Sequence, residues 1–100
     1  MNNQIELIKT RKENLNKIDK DRGYHKYNCI RINPNNSYRH EKAKFDKGFE
    51  LAKLNHKFMT EAKSANNERI FDCIDFDTGE IWEFETNPKI EKKGTITVRV

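Results

Sequence analysis

The feature that most constrains this chain is the stretch at residues 68–86, ERIFDCIDFDTGEIWEFET, which predicts a β-hairpin. Apolar and β-branched residues flank a central DTGE run on both sides. Asp77 suits the first position of a tight turn, and Gly79 suits a later position that needs a positive φ. The stretch therefore predicts two short strands that pair with each other across this turn.

The second strand of the hairpin carries acidic residues on one face and aromatic residues on the other. Alternate residues of a strand share a face, so Glu83 and Glu85 project together while Trp82 and Phe84 take the opposite side. We expect the aromatic side to be buried. The acidic side then needs solvent, a basic partner or a metal ion, because close carboxylates repel each other and lose hydration when buried.

The register of the hairpin is expected to bring three carboxylates together. If Asp77 pairs with Glu80, then Asp72 lies near Glu85 and within diagonal reach of Glu83. Oxygen ligands of this kind suit hard cations such as Mg²⁺ or Mn²⁺. The hairpin alone leaves two interpretations open, which are a metal site and an acidic strand on a solvated sheet face.

Composition limits the class of protein. The 100 residues form one small domain, and an apolar content of 34% allows only a modest core. The formal net charge of +4 mildly favours a polyanionic partner. The sequence has no apolar run long enough for a membrane span and no apolar segment typical of a signal peptide. We therefore expect an intracellular, cytoplasmic protein without a membrane partner.

The two cysteines are not arranged as zinc ligands. Cys29 and Cys73 are far apart, and neither belongs to a CxxC motif or a Cys/His cluster. We expect both to be ordinary buried residues, with a disulfide as the alternative.

Residues 1–36 are expected to form an N-terminal helix and an extended arm. A thin stripe of apolar residues recurs at helical spacing: Ile5, Ile8, Leu15 and Ile18. This stripe predicts a helix over 2–20 that lies on the surface or packs against a second subunit. In 24–33, basic residues alternate with tyrosines. That pattern leaves open an edge strand or an arm that contacts nucleic acid through Lys26 and Arg31.

Residues 37–100 are expected to form the core of the domain, beginning with a helix over 37–55. Ser37 suits the N-cap of this helix. Its inner face is expected to carry Phe45, Gly48, Phe49 and Ala52. Glu41 lies one turn earlier on the same face, with Lys44 at its border. Glu41 is either an acid favoured by the helix N-terminus or a member of the acidic site.

The remaining elements complete a recognisable order. They are a strand over 56–62, the hairpin, a short helical turn over 88–93 and a last strand over 95–100. The order and the acids resemble the PD-(D/E)xK nuclease superfamily, which includes restriction enzymes, archaeal Holliday-junction resolvases and lambda-type exonucleases. The most specific segments are HEKAKFDKGFELAKLNHKFMTEA and RIFDCIDFDTGEIWEFE, which look like those of small viral and archaeal members. The resemblance covers about 37–100.

The resemblance implies a fold and a set of catalytic residues. The fold would be α/β, with a restriction-endonuclease-like α-β-β-β-α-β core, a mixed four-stranded sheet and an added N-terminal helix. The first-motif acid falls on Glu41, the Asp of the second motif on Asp72, and the acid of the third motif on Glu83. The family's Lys position falls on Glu85, as in some restriction enzymes, where it would orient water or bind a second metal. Lys44 would supply the displaced positive charge.

The resemblance implies a metal-dependent DNA nuclease. Asp72, Glu83 and Glu41 would bind Mg²⁺ or Mn²⁺, which activates water and stabilises charge on the phosphate. Basic residues that would hold the DNA backbone are Lys26, Arg31, Lys42, Lys57 and Arg69. A homodimer is expected because two-strand cleavage requires two sites. The alternative, favoured by Glu85 in place of the family Lys, is a catalytically inactive nucleic-acid-binding module that retains the fold.

Overall fold

A computed structural model describes residues 2–20, 26–86 and 94–100 of the chain. The elements are α1 (Asn2–Leu15), α2 (Tyr38–Lys53), β1 (Phe58–Lys63), β2 (Ile70–Asp75), β3 (Ile81–Glu85) and β4 (Ile96–Arg99). The predicted α/β class is confirmed. The predicted helical turn at 88–93 lies outside the described residues, as do 21–25 of the N-terminal region. Neither helix of the described chain is long and apolar enough to cross a membrane.

The four strands form one mixed sheet in the order β1-β2-β3-β4. The β1–β2 and β2–β3 pairs are antiparallel, whereas β3 and β4 are parallel. Two antiparallel neighbours can be joined by a short turn, but a parallel pair needs a crossover connection. Because β3 and β4 are parallel, β4 begins at the same end of the sheet as β3.

The predicted hairpin is present as β2 and β3, but its register differs from the prediction. Cys73 pairs with Trp82, so the same register places position 72 opposite 83 rather than opposite 85. The reason is that the turn is longer than expected. The N–H of Asp75 donates to the carbonyl of Glu80 at 2.9 Å, and the carbonyl of Asp75 accepts the N–H of Gly79 at 2.7 Å. The Asp75 carboxylate also accepts the N–H of Asp77 at 2.9 Å, which stabilises the wider turn.

The two faces of the sheet are covered by separate groups of buried apolar side chains. The group on the α2 side comprises Leu51, Phe58, Cys73, Trp82 and Phe84. The group on the opposite side comprises Ile18, Met59, Ala62, Phe71, Ile74, Phe76 and Ile81. Cys73 is buried as expected, and burial raises the pKa of its thiol to about 12. Cys29 is exposed, so the expectation that both cysteines are buried was wrong.

The inner face of α2 also differs from the prediction. Gly48 is buried as expected, but Ala52 is exposed and Phe45 and Phe49 are 53% and 54% exposed, while Lys44 and Leu51 are buried in their place. Gly48 explains the difference, because a Cβ at this position would lie only 3.0 Å from the ring of Phe58. The missing side chain lets α2 approach β1 along the line of residues 44, 48 and 51, which turns both phenylalanines outward.

Side-chain hydrogen bonds connect the C-terminal half of α1 to the hairpin turn. Arg11 pairs with both carboxylate oxygens of Asp77, at 2.7 and 3.0 Å. Asn14 donates to the carbonyl of Phe76 at 2.7 Å. Burial opposes ionisation of Asp77, but the hydrogen bonds from Arg11 and from the Lys57 N–H outweigh it and lower the pKa of Asp77. The predicted helix over 2–20 ends earlier, at residue 15.

The N-terminal arm runs beside β1 without forming a strand in its described part. Asn28 donates its N–H to the carbonyl of Phe58 at 2.8 Å. Arg31 donates its N–H to Thr60 Oγ1, also at 2.8 Å. The edge-strand interpretation is therefore wrong for residues 26–33. This part of the arm contacts β1 only through isolated hydrogen bonds.

A pair of glycine substitutions tests the contact between the hairpin turn and α1. A Cβ at Gly79 would lie 2.9 Å from both Asn14 Oδ1 and Lys17 Nζ, whereas a Cβ at Gly94 would meet none of the described atoms within 4 Å. Both glycines have a positive φ, so alanine strains each backbone by about 1–2 kcal/mol. In urea denaturation, we expect Gly79→Ala to lose about 1 kcal/mol more than Gly94→Ala. Equal losses would contradict this contact.

Candidate functional site

Lys44 lies at the centre of a polar cluster between α2 and the sheet. Its side chain is 0% exposed, and its Nζ is 2.8 Å from Glu41 Oε1 and 3.8 Å from Glu61 Oε1. Lysine is almost never fully buried unless its charge is paired, because desolvation of the ammonium group is costly. The two carboxylates, one from α2 and one from β1, therefore make the burial of this charge possible.

Glu41 is fixed by the loop that precedes α2 as well as by Lys44. Its Oε1 accepts the N–H of Asn33 at 2.6 Å, and its Oε2 accepts a bond from the Asn36 amide at 3.1 Å. Burial opposes ionisation of Glu41, but the hydrogen bonds from Lys44 and from the Asn33 N–H outweigh it. The pKa of Glu41 is therefore held below its ordinary value. The carboxylate stays ionised opposite the lysine at neutral pH.

Asp72 joins the cluster through a histidine of α2. Its Oδ2 accepts the backbone N–H of Phe84 at 2.8 Å, which ties β2 to β3 beyond their last paired residues. Its Oδ1 is 3.1 Å from His40 Nε2, and the same nitrogen is 3.9 Å from Glu41 Oε2. His40 is thus placed between Asp72 and the Glu41–Lys44 pair.

Glu61 reaches Lys44 because the backbone of β1 changes direction at this residue. Glu61 has a φ of 51°, an uncommon conformation for a residue with a side chain. Simple alternation predicts that Glu61 shares a face with Met59, but Met59 packs on the side away from α2 while Glu61 faces Lys44. Strained backbone of this kind is enriched at functional sites.

The acids of β3 occupy different surroundings. Trp82 and Phe84 both pack toward α2, so strand alternation directs the Cβ of Glu83 to the other side of the sheet. Glu83 is 4% exposed. Glu85 is half-buried and lies in register with Arg99 of β4.

The described residues therefore unite only part of the predicted catalytic set. Glu41, Lys44 and Asp72 come together, whereas the expected convergence of Asp72 with Glu83 and Glu85 on one sheet face is not seen. In the described ranges, no group of three or more His, Cys, Asp or Glu side chains is gathered to hold a metal ion. The cation at the centre of the cluster is the ammonium group of Lys44.

The basic residues expected to hold DNA are spread over the molecule. Lys26, Arg31 and Lys42 are exposed. Arg69 packs 5.2 Å from the ring centre of Phe71, whose cluster lies on the side away from α2. The backbone N–H of Lys57 donates to Asp77 near the hairpin turn. Of the five, Lys42 is on α2, the helix that carries Glu41 and Lys44.

Two members of the cluster, His40 and Glu61, were not predicted from the sequence. A signal existed for His40, because it precedes Glu41 and lies four residues before Lys44, which places it on the same face of a helix. No comparable signal marked Glu61, since its positive φ reverses the strand alternation on which the prediction relied.

The pH dependence of stability tests the Glu41–Lys44 pair. The pKa of Glu41 is lower in the folded chain than its ordinary value of 4.5. Its ionised form therefore stabilises the fold above that pH, and this contribution is lost as the pH falls through the folded value. We expect Glu41→Gln to lower the free energy of unfolding by about 3 kcal/mol at neutral pH, with the deficit shrinking below pH 4.5.

Glu50→Gln is the matched control for this experiment. Glu50 also pairs with a lysine three residues away on α2, Lys47, at 3.2 Å, but its side chain is 60% exposed. We expect it to change stability by less than about 0.5 kcal/mol at any pH. Urea denaturation from pH 3 to 7 measures both variants, and similar small effects at the two glutamates would contradict a buried ion pair.

Comparison with known proteins gives no relative for this chain: none of the family models, curated proteins or solved structures matches it.

Proposed function

We propose that this chain is a metal-dependent DNA nuclease that hydrolyses phosphodiester bonds on a restriction-endonuclease-like core. The observation that carries the proposal is the complete burial of Lys44 between Glu41 and Glu61, with the His40–Asp72 pair beside it. These residues come from α2, β1 and β2, so the cluster exists only in the folded chain.

The energetics of the cluster support a functional origin. A buried ion pair often stabilises a protein no more than apolar residues of the same volume would. The surroundings of Glu41 hold its pKa below its ordinary value, and carboxyl groups shifted in this way are enriched at catalytic sites. Filling the interior of a small domain with one lysine, three carboxylates and a histidine costs more free energy than filling it with apolar residues would. Selection for stability alone does not account for it.

The topology supports the finer fold assignment. After α2 come three antiparallel strands and then a strand parallel to the third. This is the order that the resemblance implies, apart from the connection before β4. Glu41 in the first turn of α2 and Asp72 on the middle strand of the antiparallel set take the positions of the first and second motifs.

The side chains of the cluster suit phosphodiester hydrolysis. Lys44 carries a fixed positive charge that would stabilise the charge developing on a phosphate. His40 Nε2 is buried without a hydrogen-bond partner, 3.1 Å from Asp72 Oδ1, and it would be placed to transfer a proton. Glu41, Glu61 and Asp72 carry the kind of hard oxygen donor that Mg²⁺ prefers, although no three acids of the described residues are gathered around one point; an ion held there would lower the pKa of its bound water.

The proposal includes a homodimer, since two-strand cleavage requires two sites. Ile5 and Ile8 of α1 are 70% and 58% exposed, which makes this helix the surface expected to carry self-association.

A second candidate is a nucleic-acid-binding module without catalysis. It is favoured by the Lys44 ammonium, which already neutralises Glu41, and by Asp72, whose Oδ2 accepts the Phe84 N–H while its Oδ1 lies 3.1 Å from His40. In such a protein the cluster would position α2, and binding would depend on salt but not on divalent metal.

Cleavage assays on supercoiled and branched DNA with Mg²⁺ or Mn²⁺ test the proposal. We expect the wild-type protein to cleave, and Lys44→Met and Asp72→Asn each to lower the rate by about 100-fold, as removal of one electrostatic stabiliser usually does. Lys20→Met, a change at an exposed lysine outside α2, is the control and should retain the wild-type rate. Circular dichroism would establish that each variant is folded.

The same experiment separates the two candidates. Absence of cleavage with either ion across a range of pH would contradict the nuclease. Salt-dependent DNA binding that persists unchanged in EDTA, together with absent cleavage, would support the binding module instead.

A further inference from the structure

A groove of ≈ 590 Å³ lies between the N-terminal arm and the outer side of α2. Ile32 and Pro34 line one wall, and Tyr38, Lys42 and Phe45 line the other. Tyr38 is 79% exposed and Ile32 is 75% exposed, so large apolar groups face solvent there. A small protein rarely leaves such groups together on its surface without a partner.

The helical wall of the groove continues as a stripe along α2. The stripe consists of Tyr38, Lys42, Phe45, Phe49 and Lys53, spaced by three or four residues. The rings of Phe45 and Phe49 are stacked, with centroids 6.2 Å apart and planes inclined by 25°. Lys53 Nζ lies 5.6 Å from the ring centre of Phe49. Exposed aromatic rings and lysines are thus interleaved on the side of α2 opposite Lys44.

We propose that this groove binds unpaired nucleotides of a single DNA strand. Bases stack on the exposed rings of Tyr38 and Phe45, and Lys42 and Arg39 contact the phosphates. Aromatic rings interleaved with cations are the usual means of binding a single strand, because each base offers a flat π-face. In a duplex those faces are covered by neighbouring base pairs, so an aromatic groove is matched to the unpaired state.

The charges around the groove favour a polyanion over a second copy of this chain. Lys42 lines the groove, and Arg31 and Arg39, each next in sequence to a lining residue, are exposed. Glu41 is the only acid among its described lining residues, and both of its oxygens are already hydrogen-bonded. The nearest exposed acid on α2 is Asp46, one position beyond Phe45. A two-fold contact would bring like charges of two copies together, which costs free energy.

The groove also adjoins the candidate active site. Glu41 lines the groove and pairs with Lys44 in the buried cluster, so a strand held against Tyr38 and Phe45 runs beside the first turn of α2. As a substrate grip, the groove rests on the proposed nuclease function and specifies its substrate as DNA with an unpaired strand next to the cleavage site. As a binding site it needs no catalysis.

Fluorescence anisotropy in EDTA tests the groove without cleavage. The probes are a labelled oligo(dT) and a labelled duplex of the same length, titrated with the full-length protein over a range of salt. We expect tighter binding to the single strand. Tyr38→Ser and Phe45→Ser should each weaken single-strand binding at least about fivefold. Lys42→Gln should reduce the slope of log K against log salt by about 0.7.

Ile70→Ser is the control, because Ile70 is 49% exposed at the start of β2, away from the groove. It should leave single-strand binding unchanged. Equal affinity for the two probes, or binding that neither ring substitution alters, would overturn the proposal. Sedimentation equilibrium tests whether a second copy of this chain occupies the stripe instead. A dimer that Phe45→Ser dissociates, with oligo(dT) binding unchanged, would make the stripe a self-association surface and would also overturn the proposal.

The proposed function and the groove fail in different ways. Single-strand binding that depends on Tyr38 and Phe45, in a protein that cleaves nothing, would refute the nuclease and support the groove. Metal-dependent cleavage by a protein whose DNA binding is insensitive to both rings would refute the groove and support the nuclease.

Discussion

The charge of Lys44 sets the arrangement of α2 on the sheet. The ammonium group is fully buried, so its counter-charges must lie inside the protein, and they are the carboxylates of Glu41 and Glu61. Those contacts require α2 to lie close to β1, which Gly48 allows because it presents no side chain to Phe58. They also require the backbone at Glu61 to adopt a positive φ. The ion pair, the close helix packing and the strained strand residue therefore depend on one another.

Local chemistry made the hairpin predictable, and side-chain chemistry at the turn made its register unpredictable. The apolar runs on both sides of the turn and Gly79 were enough to identify β2 and β3. The register depends on which residues close the turn, and the Asp75 carboxylate shifts that closure by bonding the N–H of Asp77. A two-residue difference in the turn moved position 72 from opposite 85 to opposite 83, which a pattern of apolar residues does not encode.

The helix was predicted, but of its expected inner face only Gly48 is buried, for a related reason. Two lines of residues on α2 are compatible with an inner face, one through Phe45 and Phe49 and the other through Lys44, Gly48 and Leu51. Periodicity favours the first, since it counts apolar residues and treats a lysine as exposed. The second line is buried because Glu41 on the same helix and Glu61 on β1 together neutralise the lysine. Glu61 is distant in sequence, so the choice between the lines depends in part on a tertiary contact.

The result is a helix with its polarity inverted, and this inversion argues for function on both of its sides. A helix selected for stability alone buries its aromatic residues and exposes its lysines, because each exchange lowers the free energy of the folded state. α2 departs from this at several positions, with Lys44 inside and Tyr38 and Phe45 outside, and its N-cap, its packing glycine and its bonds to the preceding loop hold it in that orientation. Departures from the folding optimum concentrate where a protein does its work. An ionic cluster beneath the helix and an aromatic stripe above it, joined at Glu41, are the departures expected of an element that served both the proposed catalysis and the proposed binding.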